Sequence, residues 1–309
     1  MNEQYGQPLY GGKRNFDTEA WAEKKQKERD KVYEMIEQMV TESASSPGAF
    51  MDYLDIQARL DRYSVANTML ILKQFPTATQ LKEKGQWTDE RAYVRQSERA
   101  IQILEPTEYT RKDGEIGTAY NVKRVYDISQ TSSKEVIEPE QADMKQLAMA
   151  LVNSALVPVL MNNERTTPEK KAVYDHENCR VFVRQGMANE TELFQCLALE
   201  MAHVQLADRQ EGYDRDENSF QAGCIAYLLC KKNGVEASRF VVEELPVEWD
   251  EMEAKDLRGE MAVIRNAFSE VQGRMMDELY RIRREQERAQ ERERRQQERM
   301  KNRERDDSR

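Results

Sequence analysis

Hydrophobic and polar positions alternate along this chain in three distinct rhythms. From Thr18 to about Thr41 apolar residues return at helical spacing (Trp21, Val32, Met35, Ile36, Met39), which predicts a helix that Ser46, Pro47 and Gly48 break. A second helix is expected through Phe50, Leu54, Ile56 and Leu60. A third should run from Val65 to Gln74, with Ser64 as its N-cap and Pro76 beyond its end. The rhythm then shortens. Val94 and the run Ala100 to Leu104 read as strands, the second closed by Pro106. Lys112, Asp113 and Gly114 mark a turn between Glu108–Thr110 and a strand over Ala119–Tyr126.

After the polar stretch 131–141 the helical rhythm returns over 142–155, followed by a strand at 157–160. A hairpin is predicted from Ala172–Tyr174 and Arg180–Val183, turning at 175–178. Two apolar helices follow, 189–207 and 220–232, the second stopped by Asn233 and Gly234. From about residue 254 the chain is helical without a proline. Between Arg281 and Arg305 it interleaves Arg, Glu and Gln with no apolar seam, so that stretch is read as a solvated single helix and not a coiled coil.

The expected class is therefore α+β. Residues 1–16 form a disordered lead-in and 17–130 a small α+β domain with an N-terminal helix. Residues 131–141 form a linker, 142–245 a second α+β domain, and 246–309 a charged helical tail. At 309 residues the chain is long enough for two domains, each with its own core.

Charge modifies this picture locally. The net charge is −10, but residues 131–260 carry 14 basic and 25 acidic side chains while 50–130 carry 12 of each. A globally acidic chain binds nucleic acid only through a local patch. No apolar run approaches 18 residues and the first thirty are polar, which predicts a cytoplasmic protein with no membrane partner. Cys179, Cys196, Cys224 and Cys230 lack C-x-x-C spacing, consistent with reduced, mostly buried thiols.

Chemistry concentrates in the predicted helix 189–207. Leu199, Glu200 and His203 stand where the zinc-peptidase motif H-E-x-x-H would place a ligand, a base and a second ligand. Positions 199 and 203 share one helix face, but a leucine offers no lone pair, and catalytic zinc needs three protein ligands. Glu200 and His203 are then vestigial, Glu200 is expected to be dispensable, and Leu199 should be buried against the following helix. The same residues also read as an ordinary amphipathic helix with a polar pair at i, i+3. No metal, cofactor or catalytic residue is expected, and the chain is not expected to be an enzyme. An active zinc peptidase using His203, a loop acid and Cys196 or Cys224 is the alternative.

Two stretches together resemble a known family. Residues 63–104 and 120–130 resemble the N-terminal single-stranded-DNA-binding domain of ArdC-type antirestriction proteins. The resemblance lies in Tyr63 to Asn67 opening a helix, Pro76 to Thr79, Gly85 to Trp87, Val94 to Pro106, and Val125-Tyr126-Asp127-Ile128-Ser129-Gln130-Thr131. Residues 172–235 resemble the zincin-like domain that follows it, and the whole is similar to LtrC-like proteins of conjugative elements. Departures stand beside the likeness: Gln96 and Ser97 replace a Lys-Gly pair, Leu199 replaces the first histidine, and Gly223 falls near the third ligand. Asp214, Asp216 and Glu217 are the nearby acids.

The resemblance implies an accessory protein of a mobile element that binds single-stranded DNA, with antirestriction as its setting and the peptidase-like domain inactive. The residues themselves permit it. Residues 59–104 hold eight cations against five acids, interleaved with Tyr63, Phe75, Trp87 and Tyr93. Cations follow phosphates and exposed rings stack bases. The expected contacts are Arg62, Tyr63, Asn67, Lys82, Lys84, Trp87, Arg91, Arg95 and Arg99. A third reading is a protein-binding scaffold that uses the acidic second half and the C-terminal helix.

Overall fold

The computed structural model describes residues 18–110, 113–133, 143–187, 189–209 and 211–306. The whole of the lead-in 1–16 and most of the linker 131–141 lie outside them. Three helices open the chain: α1 (Thr18–Ser43), α2 (Pro47–Arg59) and α3 (Val65–Gln74). Their starts are local chemistry. Ser46 accepts from the Ala49 amide with Pro47 in the first turn, and Ser64 accepts from the Asn67 amide.

A small antiparallel sheet follows, in the order β1 (Leu81–Lys82), β3 (Ile116–Asp127), β2 (Ile101–Thr110), with a short helix α4 (Lys84–Asp89) between β1 and β2. Pro106 does not end its strand. It pairs opposite Tyr120, and β2 continues to Thr110. This is allowed because β2 is an edge strand, where a missing N–H costs no ladder bond.

The second half packs α5 (Met144–Asn153), β4 (Val159–Met161), β5 (Ala172–Asp175) and β6 (Arg180–Val183), the strands in the order β4-β6-β5. Helices α6 (Glu190–Arg209), α7 (Ser219–Lys232) and α8 (Ala254–Asp306) complete it. The class is α+β with a long C-terminal helix. Helix α6 is not amphipathic: Phe194 to Ala198 and Glu200 to Leu206 are all buried. Neighbours α5, α7, α8 and β5 surround it, so that even Gln195, Glu200, His203 and Gln205 are buried.

One hydrophobic cluster runs from Val32 and Ile36 in α1 through α2, α3, α5, α6 and α7 to Ile282 in α8. The two segments expected to have separate cores share this one, because α2 packs on α7 while α1 and α3 pack on α8. A smaller cluster, Ile56, Leu60, Ile71, Ala78, Ile101, Ile103 and Val125, lies under the first sheet. Helix α8 is no tail over its first half. Leu257, Met261, Ile264, Phe268, Val271, Met275, Leu279 and Ile282 are core, whereas Arg284 to Glu298 are exposed. No helix among the described residues is long and apolar enough to cross a membrane. Cys196, Cys224 and Cys230 are buried and Cys179 is exposed, all four as free thiols.

Candidate nucleic-acid interface and the peptidase-like site

A groove of about 950 Å³ opens between the start of α3, the first sheet and the start of α8. Its cations are Arg62, Lys82, Lys123, Lys255, Arg258 and Arg265, against the acids Glu83 and Glu105. Part of this charge is already matched. Lys82 pairs with Glu90, and Lys123 bridges Glu83 at 2.8 Å and Glu105. Those two carboxylates donate nothing and hold the Lys123 ammonium above its ordinary range by hydrogen bonding to it. Arg265 donates to the Tyr63 and Asp61 carbonyls at 3.0 and 3.2 Å and so fastens α8 to the entry of α3. Arg62 and Lys255 are exposed and Arg258 is half-buried. Three tyrosines line the same groove, Tyr33, Tyr63 and Tyr120, the last 45% exposed.

Of the residues the sequence singled out, Arg62, Tyr63, Asn67 and Lys82 meet in this groove. Lys84, Arg91, Arg95 and Arg99 are exposed but do not line it. Trp87 is 2% exposed and donates its indole N–H to the Tyr126 carbonyl at 2.8 Å, with Lys82 lying 4.7 Å over the ring. A ring so covered has no face for a base, which corrects its expected stacking role. Asn67 is a clamp: its amide donates to the Leu104 carbonyl at 2.9 Å and accepts from the Leu104 N–H at 2.7 Å. It holds α3 to β2. Arg95 is likewise engaged, by Glu98 and by the carbonyls of Ser129 and Thr131. Arg95→Ala is therefore expected to loosen the turn at 128–132, and is no clean probe of a DNA contact.

The closing stretch Asp127 to Thr131 is also explained by folding. The buried Asp127 carboxylate accepts from the amides of Thr79, Gln80 and Ser129 at 2.7, 2.9 and 2.9 Å. Gln130 answers by accepting from the Asp127 amide and donating to the Arg99 carbonyl. A buried polar group must be hydrogen-bonded, and this knot satisfies four backbone amides with two side chains. The groove cations on α8 were hidden by reading that segment as a tail. Lys255, Arg258 and Arg265 recur at helical spacing along one flank of the stripe formed by Leu257, Met261 and Ile264, which is a signal the sequence did contain.

The peptidase-like site is built on α6. Glu200 is buried, 2% exposed, and Arg215 donates to both of its oxygens at 2.9 and 2.8 Å. The Tyr174 amide of β5 donates to the same carboxylate at 2.6 Å. Glu200 is thus a structural anchor, which corrects the expectation that it is dispensable. His203 is 3% exposed and bonds through Nδ1 to the Tyr213 hydroxyl at 2.7 Å. Tyr213 also packs against His176, with ring centroids 5.0 Å apart. Burial pushes the Tyr213 hydroxyl up to about 12.

Leu199 is only half-buried, packed against the main core. Leu199→Ala should then cost about 1–2 kcal/mol in thermal or denaturant unfolding, below the range for a fully enclosed leucine. The alternative zinc ligands do not converge. Cys196 Sγ takes a contact from Arg239 at 3.7 Å, and Cys224 is enclosed in the core, where burial drives its thiol well above the usual range. Among the described residues no three His, Cys, Asp or Glu side chains are grouped to hold a metal ion. With Leu199 offering no lone pair and Glu200 held by Arg215, the residues present do not fit a catalytic zinc.

Burial, with the Arg215 charge adding to it, holds His203 far below an ordinary imidazole, at about 3. The unfolded chain takes up a proton near pH 6.5 that the folded chain refuses. The stability contributed by this residue is complete above about pH 6.5 and is lost as pH falls toward the folded value. His203→Gln is expected to flatten the acid limb of a melting-temperature profile. An unchanged acid limb would show that other groups set it.

No family model matches the chain, and no curated protein matches it. Two solved structures of the antirestriction protein ArdC from plasmid R388 are similar to it. The metal-free form matches at 16% identity and a TM-score of 0.42, the Mn(II)-bound form at 15% and 0.45. Each match covers 71% of this chain and 84% of the other. At these scores the similarity bears on neither activity nor ligand.

Proposed function

We propose that this protein binds single-stranded DNA in the groove between α3, the first sheet and α8, and that its peptidase-like half is not catalytic. In keeping with the family resemblance of the sequence, the proposed setting is an accessory, antirestriction role in a mobile element. The observation that carries the reading is the lining of the groove. It sets six cations against two acids within a chain of net charge −10, and places tyrosines beside them. Cations track the phosphates of a single strand and tyrosine rings accept bases with little sequence preference. The amino end of α3 opens onto the same groove, where its dipole adds to the attraction for phosphate.

Fluorescence anisotropy with the full chain and a labelled oligonucleotide tests this. Binding to the single strand should exceed binding to the duplex and weaken as salt rises. Each phosphate contact contributes about −0.7 to the log–log salt slope. Arg62→Glu combined with Arg258→Glu should lower the affinity and remove about 1.4 from that slope. A folded double variant with the parent affinity and slope would overturn the assignment of the groove. The second reading, an interaction scaffold, rests on the exposed charged residues Arg284 to Glu298 and predicts no oligonucleotide binding at all.

A further inference from the structure

We infer that residues 211–218 form a strap filling the cleft between α6 and the β5–β6 hairpin, with Glu200 and His203 as its anchors. This stands apart from the DNA-binding reading. Two side chains of the strap, Tyr213 and Arg215, reach the two polar residues one turn apart on α6. Tyr213 takes His203 and Arg215 takes Glu200, so the strap runs against the direction of α6. The far wall is the hairpin. Tyr213 packs on Tyr174 and His176 with centroids 6.2 and 5.0 Å apart, and the Tyr174 amide donates to Glu200.

The strap is built to present these side chains together. Gly212 takes a left-handed φ of 75°, which a residue with a Cβ adopts at a cost. Asp214 then accepts from the amides of Asp216 and Glu217 at 2.8 and 3.0 Å, and the Asn218 amide side chain donates back to its carbonyl. That turn leads directly into α7. The arrangement explains why Glu200 and His203 are buried in a chain where they have no catalytic partner. Each satisfies a group on the strap, and the strap in turn satisfies them. Arg215 brings to Glu200 the positive charge without which a carboxylate 2% exposed would be costly to bury. The cleft is thereby closed to an extended segment from outside.

Hydrogen exchange followed by mass spectrometry on the full chain provides the test. In the parent, the amides of residues 216–219 should be protected and trypsin should be slow to cut after Arg215. Glu200→Gln keeps the shape and the bond from Tyr174 but loses the charged fork. It should speed exchange of those amides at least about tenfold, the loss expected of a charge-assisted hydrogen bond. Exchange in the middle of α7 should not change. Tyr213→Phe keeps the ring and should produce a smaller increase confined to the strap. Parent amides that exchange at the rate of an open loop would overturn the proposal with no variant needed. So would unchanged strap exchange in folded Glu200→Gln and Tyr213→Phe proteins.

Discussion

A chain ending at residue 253 is expected not to fold, and one ending at residue 286 is expected to melt close to the parent. The first removes Leu257, Met261, Ile264, Phe268, Val271, Met275, Leu279 and Ile282, each no more than 7% exposed. At about 1.5–3 kcal/mol for each buried side chain, their loss comes to about 12–24 kcal/mol, which matches or exceeds the whole stability of an ordinary domain, about 5–15 kcal/mol. The damage extends further, because α5, α6 and α7 all pack on this helix and would face water. Arg265 would also release the carbonyls of Asp61 and Tyr63, loosening the entry to α3. The longer form keeps Gln286, which accepts from Gln146 of α5, and omits residues that are exposed where described. Circular dichroism melts of the two forms decide it. Cooperative unfolding of the 253-residue form would mean that the core is complete without α8.

Trp87→Ala should cost about 3–5 kcal/mol, the usual range for a large aromatic residue removed from a core. The indole is 2% exposed, and its N–H is the donor to the Tyr126 carbonyl, which would be left without it. Lys82 would lose the ring beneath it as well. The strand pair β1–β3 should loosen with this variant, since Tyr126 pairs with Lys82 there. Denaturant unfolding monitored by far-ultraviolet dichroism measures the effect. If the variant kept the parent midpoint and lost only oligonucleotide binding, the ring would be a stacking surface after all.

These two expectations show where sequence reasoning held and where it stopped. The start of α3 at Val65, the cap by Ser64 and the stop at Gly234 are settled by neighbours a few residues away, and they stand where the pattern put them. The hairpins follow in the same way from turn residues between apolar strands. The persistence of β2 through Pro106 was not legible, because it depends on which strand lies at the sheet edge. The short helix carrying Trp87 was missed for a related reason. Six residues hold too little periodicity, and the ring's burial is fixed by Tyr126, 39 residues away.

The absence of a first histidine was plain at Leu199, and so was the helix that bears Glu200 and His203. What those two residues do instead was not, because a charged residue in a polar loop looks the same whether it faces water or a buried carboxylate. Arg215 and Tyr213 acquire their roles only when the loop folds back over α6. The half-buried Arg258 likewise becomes part of a groove only when α8 lies against α3 and the sheet. The sequence by itself determined the longer helices, most strands, the caps and the missing ligand, since each is a matter of local geometry or residue type. The tertiary structure alone decided the shared core, the strap and the cationic groove, since burial and charge pairing depend on contacts between segments far apart in the chain.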